Sequence, residues 1–391
     1  MAILVGVGVS IERDPLLAIK QAVKSAQVGL KKEKIALALV FSSHDLADKN
    51  LLNSVEIGAP LVGCSAAAII MGDSIFKHGV AVMLLESSAD LHVSAACVNN
   101  LKEKSSLVAG EQLGEALLKS TLNVRRDLGL IFVDDLSRDS HNLIYGLQER
   151  LGTSFPLIGA FASDSLSSTN RAVYFNHQQY RSACAGILWG GKINFGVDTQ
   201  HGWKPLGKPR NVTKAEDNIV YEIDGAPAAK LYEEYLARNV RQLKKDLRHL
   251  TVFYPLGINL EGEQECLLRN ISAIHDDGSL VVQGNIPQNS QVRLMIATKE
   301  SCLSATQQAL ANVTKEVAQP DFLLVFSSIS RYILLGKNAP QELAIIREGM
   351  KKNTPVIGLY TYAEQAPLKN MNYRGASYIH NQSITLLAIQ G

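Results

Sequence analysis

The sequence predicts an α/β protein of two domains, built from repeated helix–strand–helix–strand–strand units that form mixed sheets covered by helices. Three observations carry this prediction. Short, continuous apolar runs of the kind that form buried strands alternate with amphipathic segments. The order of these segments repeats three times along the chain. The 391 residues also exceed what a single core usually supports, and we place the domains at 1–215 and 216–391.

Each copy of the repeat has three apolar strands in the same order. The first ends in small or acidic residues, the second follows a helical segment and begins Pro-x-x-Gly, and the third closes the copy after a variable loop. The strands are IALALVFSS (35–43), PLVGCS (60–65) and GVAVMLL (79–85) in copy one; LGLIFVDD (128–135), PLIGAF (156–161) and ACAGILW (183–189) in copy two; FLLVFSS (322–328), PVIGLY (355–360) and SITLLAI (383–389) in copy three.

A helix is predicted before the first strand of each copy. Apolar residues recur at helical spacing in 15–30, 105–119 and 303–317. Asp14 followed by Pro15 is typical of a helix start, because Asp accepts an unpaired backbone N–H and Pro has none to offer. The opening MAILVGVGVS lacks a basic segment, which favours a first strand over a signal peptide.

The stretch between copies two and three differs from the repeat. Residues 201–212 are rich in Pro, Gly and Lys, and we interpret them as a crossover between domains. Residues 224–250 are predicted to form one helix with acids early and bases late. Further strands are predicted up to residue 290.

Composition excludes several function classes. A net charge of +2 gives no broad attraction to nucleic acid, and no apolar run is long enough to span a bilayer. Five scattered cysteines without a CxxC pair favour a reducing compartment, so we expect a cytoplasmic protein. Neither a nucleotide-binding glycine motif nor HExxH is present, and no metal site is predicted. The spacing of the nine histidines leaves a haem ligand open.

Cys64 and Ser65 follow a strand in the turn VGCS. Cys64 is a candidate nucleophile and Ser65 a candidate donor to an anionic ligand, which would suit a Cys-dependent hydrolase or transferase. The alternative is a small buried residue at a tight strand end. No neighbouring His or acid in the sequence activates the thiol, so we predict that Cys64 is reduced, buried and not catalytic.

Polar pairs end the three equivalent strands, and ligands of α/β sheets gather beyond the carboxyl ends of strands. Capping of the following helices is the alternative role. The pairs are Ser42-Ser43, Asp134-Asp135 and Ser327-Ser328.

The densest polar set lies in the last 65 residues. Arg331 is a candidate clamp for a carboxylate, and Glu364 a candidate partner for an ammonium group. We hypothesise that Arg331, Tyr362, Glu364 and His380 converge on one cavity, with Ser328 and Asn381 nearby. An internal Arg331–Glu364 ion pair is the alternative.

These residues resemble the FIST family of bacterial sensory proteins. The N-terminal domain of that family resembles this chain at VGCS (62–65) and GWKPLG (202–207). The C-terminal domain resembles it at 222–236, 326–336, 355–367 and 380–387. The chain departs from the family pattern at three places. Ala68-Ile69 stands where the family usually has a Gly-Glu pair, and Ala363-Glu364 keeps the acid of a second such pair but replaces its glycine. Ser328 stands where a cysteine is common.

The resemblance implies sensing of a small ligand, with amino acids or similar small carboxylates as the expected class. It also implies an alternative, haem-based sensing of nitric oxide that regulates a partner histidine kinase. The family has no established catalytic activity, so we expect a binding protein that needs no cofactor. Its output is expected to pass through a signalling partner or a homo-oligomer.

Overall fold

The computed structural model describes residues 3–31, 34–47, 50–53, 55–86, 91–119, 121, 124–134, 140–164, 170–260, 266–369 and 374–391. These residues form three units of the same topology and one inserted segment, a mixed α/β architecture. The α/β prediction is therefore confirmed.

The first two units follow each other along the chain. The first comprises β1 (Val5–Ser10), α1 (Pro15–Ala26), β2 (Ile35–Ser43), β3 (Leu61–Ala66), β4 (Ala68–Met71), β5 (Ser74–Phe76) and β6 (Val80–Glu86). The second comprises β7 (Leu91–Val98), α2 (Ser106–Leu118), β8 (Arg126–Val133), α3 (Ser140–Leu151), β9 (Leu157–Phe161), β10 (Val173–Phe175), β11 (Gln178–Tyr180) and β12 (Cys184–Gly191).

The third unit is split. It begins with β13 (Asn194–Gln200) and is interrupted by an inserted segment, which we call the insert. The insert comprises β14 (Lys204–Glu216), β15 (Ile219–Ile223), β16 (Ala226–Pro227), α4 (Lys230–Leu236), α5 (Val240–Lys245), α6 (Leu247–Phe253), β17 (Leu256–Asn259), β18 (Cys266–Arg269), β19 (Ile271–Ile274), β20 (Leu280–Val282) and β21 (Gln291–Ile296). The unit resumes with α7 (Lys299–Glu316), β22 (Phe322–Ser328), α8 (Ile329–Leu335), α9 (Ala339–Glu348), β23 (Val356–Thr361), β24 (Glu364–Lys369), β25 (Arg374–His380) and β26 (Ile384–Gln390).

The three predicted copies occupy equivalent positions. In each unit the first strand of the copy (β2, β8, β22) pairs in parallel with the Pro-x-x-Gly strand and antiparallel with the closing strand. The leading strands β1, β7 and β13 add to the closing strands. The prediction that the three Pro-x-x-Gly strands are equivalent is therefore confirmed at the level of sheet order.

The same steric constraint requires the glycine in each of the three Pro-x-x-Gly strands. A Cβ at Gly63 would lie 1.7 Å from the Val40 carbonyl oxygen, and at Gly358 it would lie 1.9 Å from that of Val325. A Cβ at Gly159 would lie 1.8 Å from the carbonyl oxygen of Ile131. No side chain fits where the neighbouring strand comes this close, so the motif repeats.

The hairpin of each unit joins the sheet of another unit. Strand β4 pairs with β23 of the third unit, β10 pairs with β3 of the first, and β24 pairs with β9 of the second. Each six-stranded sheet thus contains four strands of its own unit and an exchanged hairpin. This exchange links the N-terminal and C-terminal parts of the chain across the predicted boundary at 215/216.

The inner faces of the three sheets share one core. Phe41, Phe132 and Phe326 lie at equivalent positions of β2, β8 and β22, with ring centroids 5.5 Å and 6.2 Å apart in successive pairs. The neighbouring residues of each strand face the helices instead. Both faces are buried, which explains the continuous apolar runs in the sequence.

Two predictions for the insert are wrong. Residues 201–212 are mostly part of strand β14, which pairs with both β15 and β21, rather than a crossover. The single helix predicted at 224–250 is three short helices. Ala237 takes a left-handed conformation (φ 51°), and Asn239 with Gln242 forms a capping box that starts a new helix.

Candidate ligand site

The exchanged hairpin β24–β25 has two faces. Glu364 lies opposite His380 in the register, and side chains alternate along each strand. Leu368, on the same face as Glu364, packs in the hydrophobic core of the insert, whereas Ile379 packs against the second unit. Glu364 and His380 therefore face the insert.

Glu364 is fully buried and held by hydroxyl groups. Its Oε1 accepts a hydrogen bond from Thr361 at the end of β23, and its Oε2 accepts one from Ser383 at 2.5 Å. Burial raises the pKa of Glu364 to about 8, although both hydroxyls and the charge of Arg331 act in the opposite direction. The carboxyl group is thus mainly protonated at neutral pH.

His380 is neutral in this environment. Burial lowers its pKa to about 3, with the charges of Arg269 and His201 acting in the same direction. Its Nε2 lies 3.1 Å from the carbonyl oxygen of Ala366, so this nitrogen carries the proton.

Arg269 at the end of β18 is a buried cation without a described anionic partner. Only 2% of its surface is exposed, and its Nε and Nη1 donate at 2.9 Å to the carbonyl oxygens of Asn285, Leu268 and Ile379. Nη2 has no hydrogen-bond partner among the described residues. Burial lowers the pKa of Arg269 to about 10, which leaves the guanidinium charged at neutral pH.

Amide side chains join the insert to the loop after β25. Asn381 Oδ1 accepts from the Asn270 backbone at 3.1 Å, and Gln382 Nε2 donates to Asn270 Oδ1 at 2.7 Å and to the Thr251 carbonyl at 2.5 Å. The buried Gln382 Oε1 has no partner among the described residues. We call Arg269, Asn270, Glu364, His380, Asn381 and Gln382 the Arg269 cluster.

Arg331 is occupied by other partners. Its Nη2 and Nε donate to Glu342 Oε1 of α9 at 2.6 Å and 3.0 Å, and its Nη1 donates to the His201 carbonyl at 2.6 Å. Nη2 also bonds to Thr306 Oγ1 and the Cys302 carbonyl of α7, both at 2.9 Å. Arg331 thus ties α7, α8 and α9 together, and its ion pair is with Glu342 rather than Glu364.

The other predicted residues fall in two groups. Ser328 lies beside Glu364, since its backbone N–H donates to the Ser383 carbonyl at 2.9 Å, and its hydroxyl caps α8. Tyr362 turns away and donates to Asp164 Oδ1 at 2.6 Å, while the guanidinium of Arg171 lies 5.4 Å from its ring.

Cys64 and Ser65 lie in β3 and make other contacts. Cys64 is buried in the shared core and unoxidised, and burial raises the pKa of its thiol, with Asp134 acting in the same direction. This environment disfavours the thiolate. Ser65 Oγ accepts from the Ala172 backbone at 3.0 Å. The structure thus gathers Glu364, His380, Asn381 and Ser328, places Arg331 beside them in a separate ion pair, and gives Tyr362, Cys64 and Ser65 different neighbours.

The polar pairs that end the first strands act within the fold. Ser43 Oγ accepts from the Gly79 backbone at 3.0 Å, and Asp134 accepts from the Ser182 and Ala183 backbones at 2.5 Å and 2.7 Å. Asp135 lies outside the described residues. These contacts hold the start of each closing strand, at equivalent places in the first and second units.

Arg269 was missed by sequence reasoning. Its signal is a charged residue at the end of the apolar run Cys266–Arg269, which is hard to bury without a partner.

Among the described residues, no group of three or more His, Cys, Asp or Glu is placed to hold a metal ion. No described helix has the length and apolar character needed to cross a membrane.

Comparison with known proteins identifies the family. The FIST N domain matches residues 36–226, and the FIST C domain matches residues 228–367. The chain belongs to the FIST family. FIST domains are generally described as sensory domains of signal transduction. The FIST C match includes Arg269, Arg331 and Glu364.

Several uncharacterized proteins are similar to this FIST chain. One from Methanocaldococcus jannaschii, MJ1623, is 28% identical over 211 residues, which are 50% of this chain and 41% of the relative. One from Mycobacterium tuberculosis, Rv0628c, is 26% identical over 79% of this chain and 82% of its own length. One from Mycobacterium bovis, Mb0898c, is 24% identical over 94% and 95%. The chain therefore spans less than half of the archaeal relative and most of the mycobacterial ones.

Proposed function

We propose that this FIST protein is a small-ligand sensor whose ligand, an amino acid or a similar small carboxylate, binds at the Arg269 cluster. The observation that carries the proposal is the buried guanidinium of Arg269, which has carbonyl oxygens but no described carboxylate around it. A buried cation is costly unless an anion compensates it. A ligand carboxylate supplies that anion, and a guanidinium binds it in a planar, two-bond geometry.

Glu364 extends the proposal to amino acids. Without a ligand, the cluster has one positive charge, because Glu364 is mainly protonated at neutral pH. An ammonium group near Glu364 favours the ionised carboxylate, so the site has a complement for both ends of an amino acid. His380, which is neutral, adds a hydrogen-bonding group without a competing charge.

Burial of the cluster suggests how binding produces a signal. The cluster lies between the insert and the exchanged hairpin, so a ligand enters only if these two parts separate. A ligand that prefers one arrangement shifts the population of the two. We propose that a signalling partner, such as a histidine kinase, or a second copy of the chain reads this shift. The cytoplasmic location stays a prediction.

Haem sensing is the alternative implied by the family resemblance. A haem ligand needs a free imidazole nitrogen. Both ring nitrogens of His201 have backbone partners, at Trp203 and Cys266, and the Nε2 of His380 is bonded to Ala366, which leaves the Nδ1 of His380 for a haem iron at the cluster. An absorption spectrum of protein reconstituted with haem tests this alternative.

The proposal is tested by the thermal stability of the protein with amino acids and short-chain carboxylates. A ligand that binds only the folded protein raises the melting temperature. Arg269→Gln is expected to weaken binding about 30-fold, the effect of losing roughly 2 kcal/mol of hydrogen bonding to a charged group. Arg241→Gln, at an exposed arginine of the insert, is the matched control.

Two outcomes would contradict the proposal. One is a ligand-induced increase in melting temperature that is the same in Arg269→Gln and in the control. The other is the absence of any increase across both ligand panels. If Arg269→Gln does not fold, Arg269→Lys keeps the charge but loses the planar geometry, and the same loss of affinity is expected from it.

A further inference from the structure

A second, open groove lies where the first unit meets its own hairpin β4–β5, which extends the sheet of the third unit. Its volume is about 840 Å³. The loops after β1 and β2 form one wall, and the hairpin and the residues after it form the other. The lining residues are Ile11, Arg13, Asp45, Leu46, Ile75, Phe76, Lys77 and His78. We call it the Arg13–Lys77 groove.

The position of the groove is one that ligands favour. Strands β1 and β2 both pair antiparallel with β6, so their carboxyl ends lie at the same edge of the sheet. Clefts at the carboxyl ends of strands are the usual ligand sites of α/β sheets. The volume also lies within the range of about 300–1,000 Å³ that is typical of small-molecule sites.

The charges in the groove are unbalanced. His78 Nδ1 lies 2.5 Å from Asp45 Oδ2, and His78 Nε2 lies 3.2 Å from the Glu12 carbonyl oxygen. Burial opposes ionisation of Asp45, but hydrogen bonds from Ser43 and His78 keep its pKa below the ordinary value. The carboxylate is thus already occupied by His78. Arg13 and Lys77 form no ion pair with a described carboxylate.

Apolar surface lies beside these two cations. Ile11 is 64% exposed, and Ile75 and Phe76 are partly exposed on the facing hairpin. Lys77 is oriented by the ring of Tyr332 in α8, with Nζ 5.8 Å from the ring centroid. A neutral ligand would form no ion pair with the two cations, and an inorganic anion would make no apolar contact with Ile11, Ile75 and Phe76.

We propose that the Arg13–Lys77 groove binds a small organic anion with an apolar body. The anionic group interacts with Arg13 and Lys77, and the apolar body packs on Ile11, Ile75 and Phe76. This site is separate from the Arg269 cluster and does not depend on it. Because it spans the first unit and the hairpin on the third unit's sheet, a bound anion stabilises the contact between these units.

Benzoate and benzamide test the proposal, because they share a ring and differ in charge. Dissociation constants are measured by ligand-observed NMR at millimolar concentrations. Benzoate is expected to bind at least about tenfold more tightly than benzamide, and Arg13→Gln/Lys77→Gln should weaken only benzoate, by a similar factor. Lys20→Gln/Lys24→Gln removes the same charge from exposed positions of α1 and should change neither constant.

The outcomes distinguish this groove from the Arg269 cluster. Benzoate affinity that is unchanged in Arg269→Gln and lost in Arg13→Gln/Lys77→Gln supports the groove, whatever happens to amino-acid binding. Equal affinity for benzamide, unchanged affinity in the groove variant, or no benzoate binding would each overturn the proposal. Loss of benzoate binding in Arg269→Gln alone would assign benzoate to the cluster and overturn it as well.

Discussion

Arg331 and Arg269, which are both fully buried, have contrasting surroundings. Arg331 makes an ion pair with Glu342, and Thr306, Cys302 and His201 accept its remaining hydrogen bonds. Among the residues that the structure describes, Arg269 donates only to backbone carbonyl oxygens. The paired arginine holds helices together, whereas Arg269, which has no anionic partner among the described residues, is the one that we propose binds an anion.

The largest expected effect comes from breaking the paired arginine. Glu342→Ala leaves the Arg331 charge buried and alone, and we expect it to lower the free energy of unfolding by about 3–5 kcal/mol. Arg269→Gln removes a charge that has no carboxylate partner among the described residues and loses hydrogen bonds to carbonyl oxygens, so about 1–2 kcal/mol is expected. Urea denaturation of the two variants measures both values.

A double variant separates charge from packing in this comparison. Arg331→Met/Glu342→Leu removes both charges with similar volume and should recover most of the stability lost in Glu342→Ala. If Arg269→Gln destabilises the protein as much as Glu342→Ala does, Arg269 is a structural residue like Arg331. The contrast between the two arginines would then fail.

A further effect is expected in the pH dependence of stability, and it arises from Glu364. Its pKa in the folded protein is raised from 4.5 to about 8. Between these values the folded state binds more protons than the unfolded state, so stability falls as pH rises through this window. Glu364→Gln should flatten this fall. Unfolding curves at several pH values measure it, and an equal slope in the variant would contradict the assigned protonation of Glu364.

His380 contributes in the opposite direction at lower pH. Its pKa in the folded protein is lowered from 6.5 to about 3, so stability is lost as pH falls through that window. Wild type and Glu364→Gln should therefore be compared above pH 6.5, where His380 is mainly neutral in both the folded and the unfolded protein.

Sequence reasoning found the repeat but not the way its copies connect. Apolar runs and the Pro-x-x-Gly motif predict the strands, because strand burial and close approach at Gly63, Gly159 and Gly358 are local constraints. The exchange of hairpins depends on pairing between strands far apart in sequence, such as Ile357 with Met71. Nothing in the local sequence of a hairpin specifies which sheet edge it joins.

Sequence reasoning predicts only part of the candidate site, because the rest depends on contacts between residues far apart in sequence. Glu364, His380 and Asn381 lie close along the hairpin and its following loop, so their proximity is readable from the sequence. Arg269 reaches the hairpin from β18, and Glu342 reaches Arg331 from α9. Only the folded chain brings these pairs of elements together. The sequence therefore predicts that Arg331 is available to a ligand, whereas its contacts with α7 and α9 occupy it in the fold.

The central claim, that an amino acid binds at the Arg269 cluster, is tested most directly by counting protons during binding. At pH 7 Glu364 is mainly protonated, and an ammonium group beside it should release about one proton per ligand. Calorimetric titration with the same amino acid in two buffers of different ionisation enthalpy measures this release. We predict a buffer-dependent heat for the wild type and none for Glu364→Gln, and none when the amino acid is replaced by the carboxylate that lacks its amine. A binding heat that is independent of buffer in the wild type would contradict the account.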